Sequence, residues 1–240
     1  MLRTLLLIPL ILAGAAIGIR EAAAQQISSP YEFIENNKDV GPLVAYVFTD
    51  RGAAKVGPQS NPLYGVQATF SVSTPLKISA FVAYFPSERD VIDPTPAEGD
   101  EAVIVGTKPM DLLLIAGRLH LSLTGVRTWN RLAPFLTGGA GIALGISGSP
   151  ACTLTSPDPD CQVLPSERFD FGSSLLIHFG TGTVWLPTRR IGVRLEVLNS
   201  IWRLKTPDGF RDFNVVLDPV PPETDWTNNI QLSAALTYWF

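Results

Sequence analysis

The chain has 240 residues, of which 46% are hydrophobic and only 17% charged, with a formal net charge of −4. That length suits one domain or at most two small ones, and a positive mean hydropathy excludes a disordered chain. The acidic balance, the absence of any Lys/Arg run, and only two Cys and two His argue against nucleic acid as partner and against a zinc-type cluster.

Residues 1–24 have the pattern of a secretory signal peptide. Arg3 supplies the basic start, Thr4 to Ile19 is apolar, and Ala22-Ala23-Ala24 before Gln25 offers a small-residue cleavage site. A membrane anchor is the alternative, but the run is short for a span and carries Pro9 and Gly14. Loss of Arg3, Arg20 and Glu21 with the leader leaves 16 basic and 21 acidic residues, a net charge of −5. An exported chain is free to form disulfides.

The next segment, 25–40, is not strand-like. Ser29-Pro30-Tyr31-Glu32 offers an N-cap, a proline at the first helical position and an acid beyond it, which predicts a short helix near 30–37. A flexible tail is the alternative reading.

From residue 41 onward, period-2 alternation predicts eight strands. The second sets Tyr64, Val66, Ala68, Phe70 and Val72 against Gly65, Gln67, Thr69, Ser71 and Ser73. The fourth runs from Leu113 to Thr124, the fifth from Leu136 to Ser147, the seventh from Ile191 to Leu198 and the last from Asn229 to Phe240. Strands one (41–49), three (77–86) and six (169–185) alternate less cleanly. No later segment has 18 consecutive apolar residues, so no transmembrane helix is predicted after the leader.

Long and short connections alternate strictly. Residues 50–62, 87–110, 148–167 and 205–228 are long and polar; 73–77, 125–131 and 186–190 are short. A soluble sandwich has no reason to sort its loops this way, whereas a bacterial outer-membrane barrel puts short turns in the periplasm and long loops outside. The expected fold is therefore all-β: an eight-stranded antiparallel up-and-down transmembrane barrel over 41–240, in contact with outer-membrane lipid, with both termini periplasmic. Tyr46, Phe48, Tyr64, Tyr84, Phe85 and Trp202 at one set of strand ends, and Trp129, Trp185, Tyr238, Trp239 and Phe240 at the other, are where aromatic girdles would lie.

The C-terminal run Gln231 to Phe240 has a final Phe and apolar or aromatic residues at every second position before it, Leu236 and Tyr238 among them. It resembles the terminal signal of bacterial outer-membrane proteins, and with the leader and eight strands the chain resembles the small outer-membrane barrels of the protein A, X and W type. The resemblance implies that barrel assembly machinery reads Leu236, Tyr238 and Phe240.

An eight-stranded barrel is just wide enough to be filled by side chains. Alternation assigns Gln67, Arg118, His120, His178, Arg194, Glu196 and Gln231 to its lumen. A charge sealed there must be paired. Glu196 has Arg194 on its own face and Arg118 across the lumen, so a structural polar network is expected. His120-Leu121-Ser122 puts a base and a hydroxyl on one face, and outer-membrane lipid A deacylases have a similarly spaced pair. No acid on the following strand would orient the His, however, and such enzymes need a lipid-facing site.

The acidic loop 87–110, with Glu88, Asp90, Asp93, Glu98, Asp100 and Glu101 against Arg89 and Lys108, fits no calcium motif and reads as solvated surface. Cys152 and Cys161 enclose a Pro- and Asp-rich stretch and are expected to form a disulfide. The expected function is non-catalytic and needs no cofactor or metal: a monomeric barrel with a structural, surface-contact or small-solute role. A narrow channel for small hydrophobic solutes is the alternative, and a lipid-modifying esterase using His120 and Ser122 the second.

Overall fold

The computed structural model describes residues 29–93, 103–147, 169–207, 210 and 220–240. The leader, Cys152, Cys161, Glu98, Asp100 and Glu101 lie outside the described residues.

Among the described residues, twelve strands occur in chain order: β1 (Tyr31–Phe33), β2 (Lys38–Phe48), β3 (Asn61–Ser71), β4 (Leu76–Phe85), β5 (Glu88–Asp93), β6 (Val103–Pro109), β7 (Leu112–Ser122), β8 (Arg127–Trp129), β9 (Leu132–Gly145), β10 (Ser173–Trp185), β11 (Ile191–Lys205) and β12 (Thr224–Trp239). All belong to the unit Tyr31–Phe240. Eight of them, β2-β3-β4-β7-β9-β10-β11-β12, pair antiparallel in that sequence, and β12 returns to β2 to close the sheet. The result is a closed eight-stranded antiparallel β-barrel.

Its wall follows from alternation alone. On β2, Asp39, Gly41, Leu43, Ala45 and Val47 point inward and are buried, while Val40, Pro42, Val44, Tyr46 and Phe48 point outward and are exposed. The same parity leaves Val66, Val82, Leu119, Leu136, Leu195, Leu232 and Leu236 exposed on the outside. A continuous apolar outer face on a closed sheet suits lipid, because closure leaves no free sheet edge in the wall.

The closing seam has one irregularity. Phe48 to Leu43 pair with Ile230 to Ala235, and Val40 and Asp39 with Tyr238 and Trp239; Gly41 and Pro42 have no β12 partner. Pro42 has no N–H to donate. A Cβ at Gly41 would sit 1.8 Å from the Leu236 carbonyl oxygen, so only glycine lets the two backbones approach there. Beyond the gap, Phe240 and Lys38 exchange two backbone hydrogen bonds (3.0 and 3.3 Å).

Three expectations need correction. First, no helix forms near 30–37. Tyr31–Phe33 is a strand paired with Arg127–Trp129, and the Ile34 amide donates to the Val126 carbonyl (2.8 Å). The exposed backbone edge of β8 competes with the local capping signal and wins, as tertiary pairing commonly does. Second, the acidic loop is not only solvated surface: β5 and β6 form a hairpin in which Arg89 and Asp90 are buried. Asp90 accepts hydrogen bonds from Arg51 and from Gln59 Nε2 (2.7 Å). Third, Phe85, Trp202 and Trp239 do not belong to the girdles. They occupy inward parity and are buried at 0%, 0% and 2% exposure.

The lumen as candidate functional site

The barrel interior changes character along its axis. Reading β7 from the long-loop end, the inward residues are Leu112, Leu114 and Ala116, then Arg118, His120 and Ser122. Reading β4 the same way gives Phe85, Ala83 and Phe81, then Ser79 and Lys77. The loop-end half is a dry cluster that includes Leu63, Leu112, Leu114, Leu176 and Trp202, capped by Val56, Met110, Phe169 and Phe171. At the short-turn end Trp239, Phe135, Val184 and Ala133 form a second, smaller cluster, with Ile34 and Leu186 packed on it.

Between the two lies a belt of charge. Arg118 Nη1 donates to Glu196 Oε2 (3.0 Å), and its other terminal nitrogen donates to Gln67 Oε1. Arg194 grips both carboxylate oxygens of Asp39 (3.0 and 2.9 Å) and donates to Thr69 Oγ1 (2.9 Å). Its Nε lies 4.0 Å from Glu196 Oε1, which links the two pairs. All four charged side chains are at most 4% exposed. Charge-assisted pairing of each arginine with a carboxylate, with Gln67 and Thr69 accepting from one further nitrogen of each, is what makes such burial tolerable; among the described residues, Arg118 Nε, Arg194 Nε and Glu196 Oε1 make no hydrogen bond. Arg118 also lies over the Phe81 ring (4.9 Å) and Arg194 over Phe135 (5.8 Å).

The wall makes room for this belt by omitting side chains opposite it. A Cβ at Gly139 would come within 2.7 Å of Arg118 Cα and 2.9 Å of its Cγ. One at Gly182 would meet Phe135 at 2.6 Å and Glu196 Cγ at 3.0 Å.

The two histidines stand beside the belt rather than in it. His120 Nε2 meets Ser79 Oγ at 2.7 Å, with its ring edge-on to Phe135. His178 Nδ1 meets Ser200 Oγ at 2.9 Å, and that hydroxyl donates onward to Gln231 Oε1 (3.3 Å). The structure thus brings Arg118, Arg194 and Glu196 together and sets His120 and His178 to either side. It does not pair His120 with Ser122, whose hydroxyl donates to the Gly125 carbonyl (2.8 Å). A cavity bordered by Thr69, Lys77, His120, Ser122 and Arg194 holds only about 20 Å³, room for about one water. Among the described residues no group of three or more His, Cys, Asp or Glu converges for a metal.

Sequence reasoning missed Asp39, which balances Arg194. The signal was present: extending the first strand two residues upstream of Gly41 puts Asp39 on the inward parity. Leu236, Tyr238 and Phe240 line up on the outer face at the short-turn end, and the last two rings stack at 6.3 Å.

A closed eight-stranded sheet of this kind recurs among solved structures. The outer membrane protein OprG from Pseudomonas aeruginosa superposes with a TM-score of 0.50 at 11% identity, covering 88% of this chain and 99% of that one. The chain has the fold of the small eight-stranded outer-membrane barrels. The Escherichia coli outer membrane protein W (TM-score 0.48, 11% identity, 85% of this chain, 98% of that one) is similar to it. So is outer membrane protein AlkL, solved in lipid bilayers (0.47, 13%, 87% and 92%). Neither protein-family models nor curated protein sequences give a match. At these identities the likeness concerns the fold, and the function rests on the residues of this chain.

Proposed function

We propose that this chain is a non-catalytic bacterial outer-membrane barrel that does not conduct ions along its axis and acts through its wall and its long loops, in envelope integrity or surface contact. In this reading residues 1–24 are removed on export and 25–40 stay in the periplasm. The short turns and both ends of 41–240 face the periplasm, the long loops face outward, and the barrel is a monomer whose C-terminal Leu236, Tyr238 and Phe240 are read by assembly machinery. The single observation that carries it is the belt Arg118–Glu196–Arg194–Asp39 across the lumen, with Trp239 and Phe135 closing the short-turn end. An ion on the axis would have to break buried pairs in a low-dielectric interior.

Planar-bilayer recording on the refolded mature chain tests this. A flat baseline is expected at moderate voltages, and regular single-channel steps would overturn the reading.

One observation favours a second reading, passage of small hydrophobic solutes: the loop-end half of the lumen is lined largely by apolar side chains, Leu63, Phe81, Phe85, Leu112 and Leu114 among them, with no charged side chain in the cluster. Uptake of a small alkane by cells carrying the protein, without any conductance, would favour it over a purely structural role.

A further inference from the structure

At the short-turn mouth, the segment before β2 crosses over the barrel, and Ile34 packs down onto Trp239 and its neighbours. Ile34 divides the mouth into two clefts. One, of about 300 Å³, is bordered by Glu32, Glu35, Arg131, Arg189, Thr188 and Trp239. Its charges balance: two acids face two arginines, and Glu35 pairs with Arg189 at 2.9 Å.

The other cleft, of about 260 Å³, is bordered by Asn36, Asn37, Ser71, Ser73, Thr74 and Lys77, with Gly125 and Val126 on the far side. No carboxylate borders it. Lys77 points inward from β4, opposite Ser71 on β3 and His120 on β7. Its ammonium sits over the Trp239 ring, 4.6 Å from the centroid, where the side chain borders the cleft.

The interior charges around the belt do not cancel. Arg118 is matched by Glu196 and Arg194 by Asp39; Lys77 shares the attraction of that same Asp39 but makes no ion pair of its own among the described residues, so the cations outnumber the carboxylates by one. Among those residues, the hydroxyls of Ser71, Ser73 and Thr74 and the side-chain amide of Asn37 likewise make no side-chain hydrogen bond. A half-sequestered cation ringed by unused donors, beside a cleft whose charges are already paired, is complementary to an anion. A phosphate group fits this chemistry, because several oxygens can accept from hydroxyls and amide at once while lysine supplies the point charge.

We propose that the cleft bordered by Lys77 and rimmed by Asn37, Ser71, Ser73 and Thr74 binds a phosphate-bearing anion, presented either as a free ion or as an anionic lipid headgroup. The proposal stands independently of whether the barrel conducts. Asn36 is committed elsewhere, its amide donating to the Arg189 carbonyl (2.9 Å), and it serves to hold the rim in place.

The experiment uses the mature chain refolded in a nonionic detergent, titrated with inorganic phosphate at constant ionic strength. Phosphate should raise the thermal unfolding midpoint by a few degrees, since it binds the folded form alone. It should also move the amide resonances of 71–77 and 125–126. Lys77→Met should abolish both responses and Asn37→Leu, on the exposed rim where folding is not at risk, should weaken them. Arg131→Met, in the neighbouring cleft, should leave them intact. A response to inorganic phosphate marks the ligand as a free ion. A Lys77-dependent response found only in vesicles containing phosphatidylglycerol marks it as a lipid headgroup, and either supports the site. Absence of any Lys77-dependent response in both settings, or equal loss in Arg131→Met, overturns it.

Discussion

The two halves of the barrel interior solve the same problem with opposite chemistry. The loop-end half fills the lumen with Leu63, Phe85, Leu112, Leu114 and Trp202, whose stability comes from area removed from water and from close packing. The other half fills it with two arginines and two carboxylates, each of which would be costly if left alone. In the first half each side chain contributes more or less on its own account. In the second, no member can be removed without stranding another. The difference is one of cooperativity, and it decides how each half responds to mutation.

The largest effect is expected where a partner is stranded. Glu196→Ala leaves Arg118 buried with only Gln67, and should lower stability by about 3–5 kcal/mol, read as a urea unfolding midpoint in detergent. Glu88→Ala, on exposed surface, should change it by less than about 1 kcal/mol. Equal midpoints would show that the belt is not sealed from water. The sharper test is the double variant Arg118→Met, Glu196→Leu: replacing the pair by apolar side chains of similar size should recover most of the loss.

In the apolar half, Leu112→Ala should cost about 2–5 kcal/mol, and adding Phe85→Ala, its cross-strand neighbour, should deepen the loss rather than recover any of it. A double variant that restores stability in this half would erase the distinction between the two halves. Next comes the expected bridge between Cys152 and Cys161 in a long loop. Closing about 10 residues contributes roughly 2.5–3 kcal/mol in the chain-entropy model, so Cys152→Ser should lower the midpoint accordingly. Stoichiometric thiol labelling of both cysteines in unreduced, denatured protein would refute the bridge. Smallest is Glu35→Ala. Its pair with Arg189 has the same chemistry as Asp39 with Arg194, but the arginine and the glutamate are 82% and 60% exposed. A loss of under about 1 kcal/mol is expected, and anything near the Asp39→Ala value would mean that the strap before β2 is more enclosed than its surface suggests.

The contrast between the halves also marks how far the sequence could be read. Strict alternation placed Arg118, Arg194 and Glu196 on inward positions, since parity is a local property. Partners are not local. Asp39 lies 155 residues from Arg194, and the proline three residues after it argues against a strand interior, so its inward parity was readable only by extending the strand past that proline, and its partner not at all. The same distinction explains the aromatics. Position near a strand end says how high a ring sits, but only parity says which way it points, and Phe85, Trp202 and Trp239 point in. The β5–β6 hairpin was hidden because acids and prolines suggest a solvated loop. The first strand, β1, exists because β8 offers it an edge, which nothing in residues 30–37 announces.

The seam between β2 and β12 carries a temporal consequence. Every other neighbouring pair in the wall joins strands close in the chain, while this one joins Phe48 to Ile230 and Asp39 to Trp239. Contacts of such long range form late, after the loop entropy between them has been spent. The wall must therefore assemble as an open ribbon that is curled but unlatched, with both end strands exposed until β12 arrives. Because the ladder skips Gly41 and Pro42, the latch is fastened in two separate stretches, and the shorter one, at Val40 and Asp39, has little to hold it against unzipping. Amide exchange along β12 should be fastest at Leu236, which faces the gap while Thr237 pairs with Gly192 on the other side, so the last joint to close is also the first to breathe.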